Sequence, residues 1–452
     1  MQEIIREALK RHGADYAEIR IETAESTRLQ YRGKELEETS RTTSKGGCAR
    51  AMYKGGWGFV SFNDISDLKE KVAMAVRQAK LVGNETTSLA DYEIVESVTP
   101  AHIKKDPLTV PITDKKKLFD EYHELIWATP NIQTSTIGYG DGRKKIYFGN
   151  SEGTLIEQSK VDVSLRVSAM ARANGDVQQS GVSIGSNGDY AVVEGLHERV
   201  EGLSKQAVAF LSAPHAPGGP RTVILDPVLA GVFVHEAFGH LSEADFVYEN
   251  DRMREIMVLG KEFGGKHLNI VDGAAVPDLR GSYAFDEEGV PSTKTDLVRD
   301  GVLVGRLHSR ETAAKMGEKP TGNARAISYA FPPIVRMTNT YIEPQAATFE
   351  DMIADIEDGI YAKNWYGGMT SMEMFTFSAG EAFRIRKGKV EELVRPVVLS
   401  GNLFETLKNI DIIGNDLDLN QGGGCGKGGQ SPLPVSNGSP HIRIQGCLVG
   451  GK

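Results

Sequence analysis

Apolar residues near the start of the chain fall first at helical and then at strand spacing. From Gln2 to Arg11 the positions Ile5, Ala8, Leu9 and His12 share one helical stripe, which ends at Gly13. In YAEIRIET the period drops to two. Ala17, Ile19 and Ile21 alternate with Glu18, Arg20 and Glu22, the pattern of a strand with one buried face. TRLQYRGKELEETS turns at Gly33 and CARAMYKGGWGFVSF at Gly55-Gly56, so hairpins follow. Helical spacing returns from about Ser66 to Val82, through Leu68, Val72, Ala75, Val76 and Ala79, and again from about Asp114 to Trp127. Strand patterns then run through IQTSTIGYGD, KKIYFGN, TLIEQSK and VDVSLRVSAMARA, with a turn at Gly153, before a helix from about Ala191 to Phe210.

SAPHAPGGPRTVIL interrupts this rhythm. Its prolines and glycines from Pro214 to Pro220 suit no regular element and mark a domain boundary. The strand TVIL leads into a helix, with Asp226 placed to cap it and Pro227 in its first turn. Beyond it, strands dominate between Gly, Pro and Asn turns, with one clear helix near Thr348–Ile356. The expectation is an α+β protein of two domains. Residues 1–212 form an α/β, sandwich-like domain, 213–220 a linker, and 221–452 a mostly antiparallel, barrel-like β domain that carries the helix after Asp226.

A length of 452 residues is too great for one comfortable core, which agrees with that division. The net charge of −9 and the lack of any Lys/Arg run argue against direct nucleic-acid binding. No apolar stretch approaches the roughly 18 residues a bilayer span needs, and the N-terminal pattern lacks the apolar segment of a secretion signal. Cys48, Cys425 and Cys447 are too scattered for a disulfide framework. These features predict a cytoplasmic protein without a membrane partner.

VFVHEAFGHLSEADF changes the picture. His235, Glu236 and His240 resemble the H-E-x-x-H zinc signature, but with the histidines five positions apart instead of four. Chance alone produces this spacing in roughly one or two chains per hundred of this length, so the motif needs support. On a regular helix two such rings stand about 140° apart and cannot meet one ion. A π-bulge, or an early helix end at Gly239, would bring them together. Otherwise these are two ordinary helix histidines. Glu243 and Asp245 could orient an imidazole or supply a ligand, or could simply solvate the helix end. Cys425, in GGGCGKGG, is the other candidate; the glycines would allow close approach, and the loop departs from the P-loop pattern at Gln421 and Gly428. Cys48 and Cys447 read as buried apolar residues. TGNARAISYAFPPIVRMTNTYIEP reads either as a turn into a strand or as a substrate-facing loop. In the second case Asn323, Arg325, Tyr329 or Arg336 would meet a carboxylate or oxyanion.

HEAFGHLSEADF, TGNAR…RMTNTYI, FSAGEAF, IIGNDL and GGGCGKGGQSPLPVSNGSPHIRI occur in that order and span the C-terminal half. Together they resemble the TldD/PmbA family, described as modulators of DNA gyrase and as TldD/TldE proteases. The intact HExxxH is similar to the TldD branch. The resemblance implies that His235, His240 and Cys425 hold zinc and that Glu236 is the catalytic carboxylate. It further implies a dimer, with itself or with a PmbA/TldE-like subunit, acting on extended or unfolded peptides. Peptide is expected to add as a strand along a β edge of the C-terminal domain. The alternatives are a non-catalytic peptide-binding subunit, whose structural metal needs a fourth ligand such as Glu243, Asp245 or His308, and a zinc amidase acting on small amides.

Overall fold

A computed structural model describes residues 1–84, 87–371 and 373–450. The fold is α+β and strand-rich. Residues 16–187 build a seven-stranded sheet in the order 56–62, 35–53, 16–32, 132–150, 155–173 and 96–99, with 176–187 also paired to 155–173. The one parallel pairing joins 96–99 to 155–173. The hairpin turns fall at Gly33 and at Lys54-Gly55, where the backbone adopts positive φ. Helices Gln2–Ala8, Leu68–Val82, Ile112–Ala128 and His197–Ala209 cover one face. Ala17, Ile19, Ile21, Leu29 and Tyr31 of strand Tyr16–Arg32 point into that layer. The helix expected from Ala191 is instead a 3-10 turn, Tyr190–Val193, followed by His197–Ala209. Gly195, at φ +66°, separates the two.

The opposite face corrects one expectation. Glu18, Arg20 and Glu22 are at most 4% exposed, although the alternation places them toward solvent. Residues from the second half of the chain cover them. Arg20 donates to the carbonyls of Ser328 (2.8 Å) and Phe331 (3.2 Å). The Arg50 guanidinium lies between Glu18 (3.0 Å) and Glu288 (2.9 Å), and Arg280 grips both oxygens of Asp162. Period two identified the faces but could not say what lay across them.

Five strands of the C-terminal half close into a barrel: 358–371, 219–225, 442–450, 398–402 and 374–386, which returns to 358–371. All pairings are antiparallel except 219–225 with 358–371. Beside the barrel lies a six-stranded sheet ordered 302–303, 294–299, 270–273, 339–342, 436–439 and 418–420. Helix Pro227–Val234 sits between the two and is buried from Leu229 to Val234, as its continuous apolar run requires. Phe233 meets Phe375 and Phe377 of the barrel edge-on. On the other side Gly231 approaches strand Ser436–Ser439 so closely that a Cβ would lie 2.8 Å from Gly438 Cα. Among the described residues no helix is long and apolar enough to cross a membrane.

Removing Arg50 would leave Glu18 and Glu288 facing each other without a cation. Arg50→Met is therefore expected to destabilise the protein by about 3–5 kcal/mol, read as a lower urea midpoint. An unchanged midpoint would show that this ion pair does not hold the two halves together.

Candidate metal centre

Asp226 caps the central helix as its sequence predicts, accepting from the backbone N–H of Leu229 (2.8 Å) and of Asn364 (3.0 Å). At His235 the helix widens. His235–Gly239 is a π turn, and the N–H of His240 donates to the His235 carbonyl five residues earlier. The wider pitch places both imidazoles on one side, with ring centroids 5.3 Å apart and planes at 80°. Gly239 has ordinary helical φ (−57°), so it is not needed for its conformational freedom. It is needed for space, because a Cβ there would overlap the Met337 sulfur.

Cys425 reaches the pair from the short strand Gly424–Lys427, itself hairpin-paired with Gln430–Pro434. Its Sγ is 3.5 Å from His240 Nε2. One donor atom from each of His235, His240 and Cys425 lies within 4.8 Å of the others. His235 Nδ1 is buried without a hydrogen-bond partner, a costly state for a ring nitrogen. Two imidazoles and a thiolate are the donor types a zinc-like ion prefers, with room for one further ligand.

Among the described residues no closed four-ligand sphere is assembled, because each alternative donor is engaged elsewhere. Glu243 bonds His240 Nδ1 at 3.0 Å. Asp245 pairs with Lys427 at 2.6 Å. His308 is held between Thr312 and Glu318, at 3.1 Å from each. Lys427 also reaches Glu243 (3.1 Å) and the carbonyl of Val335 (3.0 Å). It thereby ties the cysteine strand to the residues just after the histidines. Sequence reasoning missed Lys427, whose only signal was its place two residues from Cys425, where it invited comparison with a P-loop lysine.

Charge is strongly coupled here. Burial opposes ionisation of the Cys425 thiol, yet the adjacent His235 and His240 pull it down to about 4. Burial likewise opposes protonation of His240, but Glu243 and the thiolate raise it well above the usual imidazole range. For Glu243 burial raises the carboxyl, and His240 and Lys427 outweigh it, holding the group below its ordinary value.

Glu236 is half-buried and opens with His235 into a cleft of about 380 Å³. One wall is the first sheet, through Arg166 and Ser183; the other carries Trp365 and Gly423. The structure does not bring Asn323, Arg325 and Arg336 to this cleft. All three are at most 5% exposed and are engaged with the interior. Asn323 donates to Asp272 and to the Arg336 carbonyl (both 3.0 Å). Arg325 donates to the carbonyls of Met337 (2.6 Å) and Pro434 (2.8 Å), and Arg336 to that of Gln430 (3.2 Å). They support the site from behind, fixing Met337 beneath Gly239 and bracing the cysteine hairpin. Tyr329 bonds Asn63 across the two halves of the chain.

The metal-free protein is expected to keep Cys425 as a thiolate down to acid pH. Its ultraviolet thiolate absorbance, taken against Cys425→Ala, should persist from neutral pH and fall only as the pH approaches about 4. Loss of that signal around the ordinary thiol value of about 8.5 would contradict the arrangement.

Comparison with known proteins agrees with the geometry. Three domain descriptions of one family match the chain: PmbA/TldA metallopeptidase domain 1 over 17–81, the central domain over 105–212 and the C-terminal domain over 218–451. Metalloprotease slr0863 from Synechocystis sp. is 47% identical over 97% of this chain and 95% of its own length. The zinc metalloprotease TldD homolog of Saccharolobus solfataricus is 29% identical over 97% of each. Among solved structures, TM0727 from Thermotoga maritima shares the fold with a TM-score of 0.81 at 19% identity over the whole of both chains. TldE from Thermococcus kodakarensis does so with a TM-score of 0.73 at 18% identity, again over the whole of both chains. A chain matched over nearly its full length by this family's domains and by its metalloproteases belongs to the PmbA/TldD metallopeptidase family.

Proposed function

We propose that this chain is a zinc metallopeptidase that hydrolyses peptide bonds in extended or unfolded peptides. One observation carries the reading. The π turn puts His235 and His240 beside Cys425 while Glu236, between the histidines in sequence, opens to the cleft. The relative named as a zinc metalloprotease supports zinc as the metal. When bound, zinc supplies Lewis acidity toward water and the scissile carbonyl.

The chain's own residues do the rest. Glu236 accepts the proton of the attacking water and returns it to the leaving amine, which its position beside a ligand histidine permits. Glu243 accepts from His240 Nδ1 and so leaves Nε2 as the nitrogen turned toward Cys425. Among the described residues strand Asp176–Asn187 pairs on one side only and contributes residues 181–183 to the cleft, so an extended peptide could align along it through main-chain hydrogen bonds. The proposed peptide-binding edge is therefore on the first sheet, as an alternative to the edge of the C-terminal domain expected from the sequence. The protein acts in this reading as a dimer, either of two copies of this chain or with a PmbA/TldE-like subunit, as the resemblance to the family implies. The three unpaired cysteines suit a reducing cytoplasm.

Glu236→Gln is expected to keep full zinc content while cleavage of an unstructured peptide falls by about 10²- to 10⁴-fold. His240→Ala and Cys425→Ala should lose zinc and activity together. Retained cleavage by Glu236→Gln at full zinc occupancy would overturn the assignment of the base.

A further inference from the structure

The cleft holds two cations that neither the metal centre nor the fold uses. Arg166 projects from the middle of strand Leu155–Ala173, where its cross-strand neighbours are Gly138 and Ser183. Ser164 and Ser168 flank it on the same face, and all four neighbours line the cleft. Arg199, on helix His197–Ala209, lines the same space. Both arginines are exposed, and among the described residues neither has a carboxylate within 4.0 Å. The acidic group that bears on Arg199 is Asp418, which acts on it only at longer range.

This arrangement is unusual for the molecule. The chain carries a net charge of −9, and cations elsewhere at the junction of the two halves, such as Arg280 and Lys160, are paired with acids. A guanidinium stays charged at every accessible pH and offers a planar fork of donors that matches a carboxylate. Ringed by glycine and serine, Arg166 has space above it for such a group and no internal partner to displace.

We propose that Arg166, assisted by Arg199, is the specificity-determining residue of the cleft and selects peptides that present a carboxylate beside the scissile bond. This rests on the metallopeptidase reading of the same site. The carboxylate could belong to a Glu or Asp side chain or to a free C-terminus, and each source is tested separately.

The zinc-loaded full chain is offered quenched fluorescent peptides that differ only in Glu against Gln, each with a free or an amidated C-terminus. The carboxylate-bearing member of at least one pair should be preferred by about tenfold in kcat/KM, chiefly through KM. The pair that shows the preference identifies the source. In Arg166→Gln this ratio should collapse toward one, whereas Arg166→Lys, a point charge without the fork, should retain part of it. Should Arg166→Gln fail to fold, Arg199→Gln reads the same ratio from the other cation. Binding of the labelled peptides to Glu236→Gln protein, followed by fluorescence anisotropy, gives the same ratios without turnover. Failure of the peptidase reading appears as no cleavage of any peptide, and the binding ratios still decide the specificity. A wild-type preference below about twofold in both pairs, or a wild-type ratio kept in Arg166→Gln, overturns the proposal.

Discussion

Asp272 is 1% exposed and accepts four hydrogen bonds: from Asn323 Nδ2 (3.0 Å), from the Thr338 N–H (2.9 Å) and hydroxyl (2.7 Å), and from the Thr340 hydroxyl (2.7 Å). A buried carboxylate is tolerable only with its lone pairs filled, so these donors and the acceptor require one another. The arrangement stitches strand Ile270–Gly273 to Asn339–Ile342 and fixes the segment just before it. Met337 belongs to that segment, and the π turn rests on Met337 where Gly239 leaves room. The geometry of the histidine pair therefore depends on a carboxylate that touches neither of them.

The candidate site was legible in the sequence to different depths. His235, Glu236, His240 and Cys425 were all singled out, and the five-residue spacing itself implied either a wider turn or an early helix end. The choice between them depends on Met337, nearly a hundred residues later, so no local pattern could make it. The substrate-facing reading of Asn323, Arg325 and Arg336 failed for a related reason. Polar residues in a turn-rich stretch look solvent-facing, whereas here they fill backbone acceptors inside the fold. Among fold elements, the strand faces and the cap at Asp226 followed from period and residue type. The burial of Glu18, Arg20 and Glu22 did not, because period two reports which face a residue is on and not what packs over it.

The cysteine hairpin owes its place to side chains more than to sheet. Among the described residues, strands Gly424–Lys427 and Gln430–Pro434 pair only with each other. Lys427 reaching Asp245, Glu243 and the Val335 carbonyl, together with Arg325 and Arg336 donating to Pro434 and Gln430, fastens the hairpin to the helix and the loop. Two arginines and a lysine thus position the sulfur, while the histidines beside it favour its ionised form.

The π turn has a consequence for how such sites arise. An extra residue in a regular helix rotates everything after it by about 100°, whereas a π turn absorbs the surplus within itself and leaves the following chain in register. Histidines five apart here occupy the relation that histidines four apart occupy on an ordinary helix. A single-codon insertion in an ancestral four-spaced helix could therefore reach this arrangement while Leu241, Ser242 and Glu243 kept their places. The length of the spacer records the pitch of the helix, and a search that fixes the spacer at one length would separate sites that are alike in space.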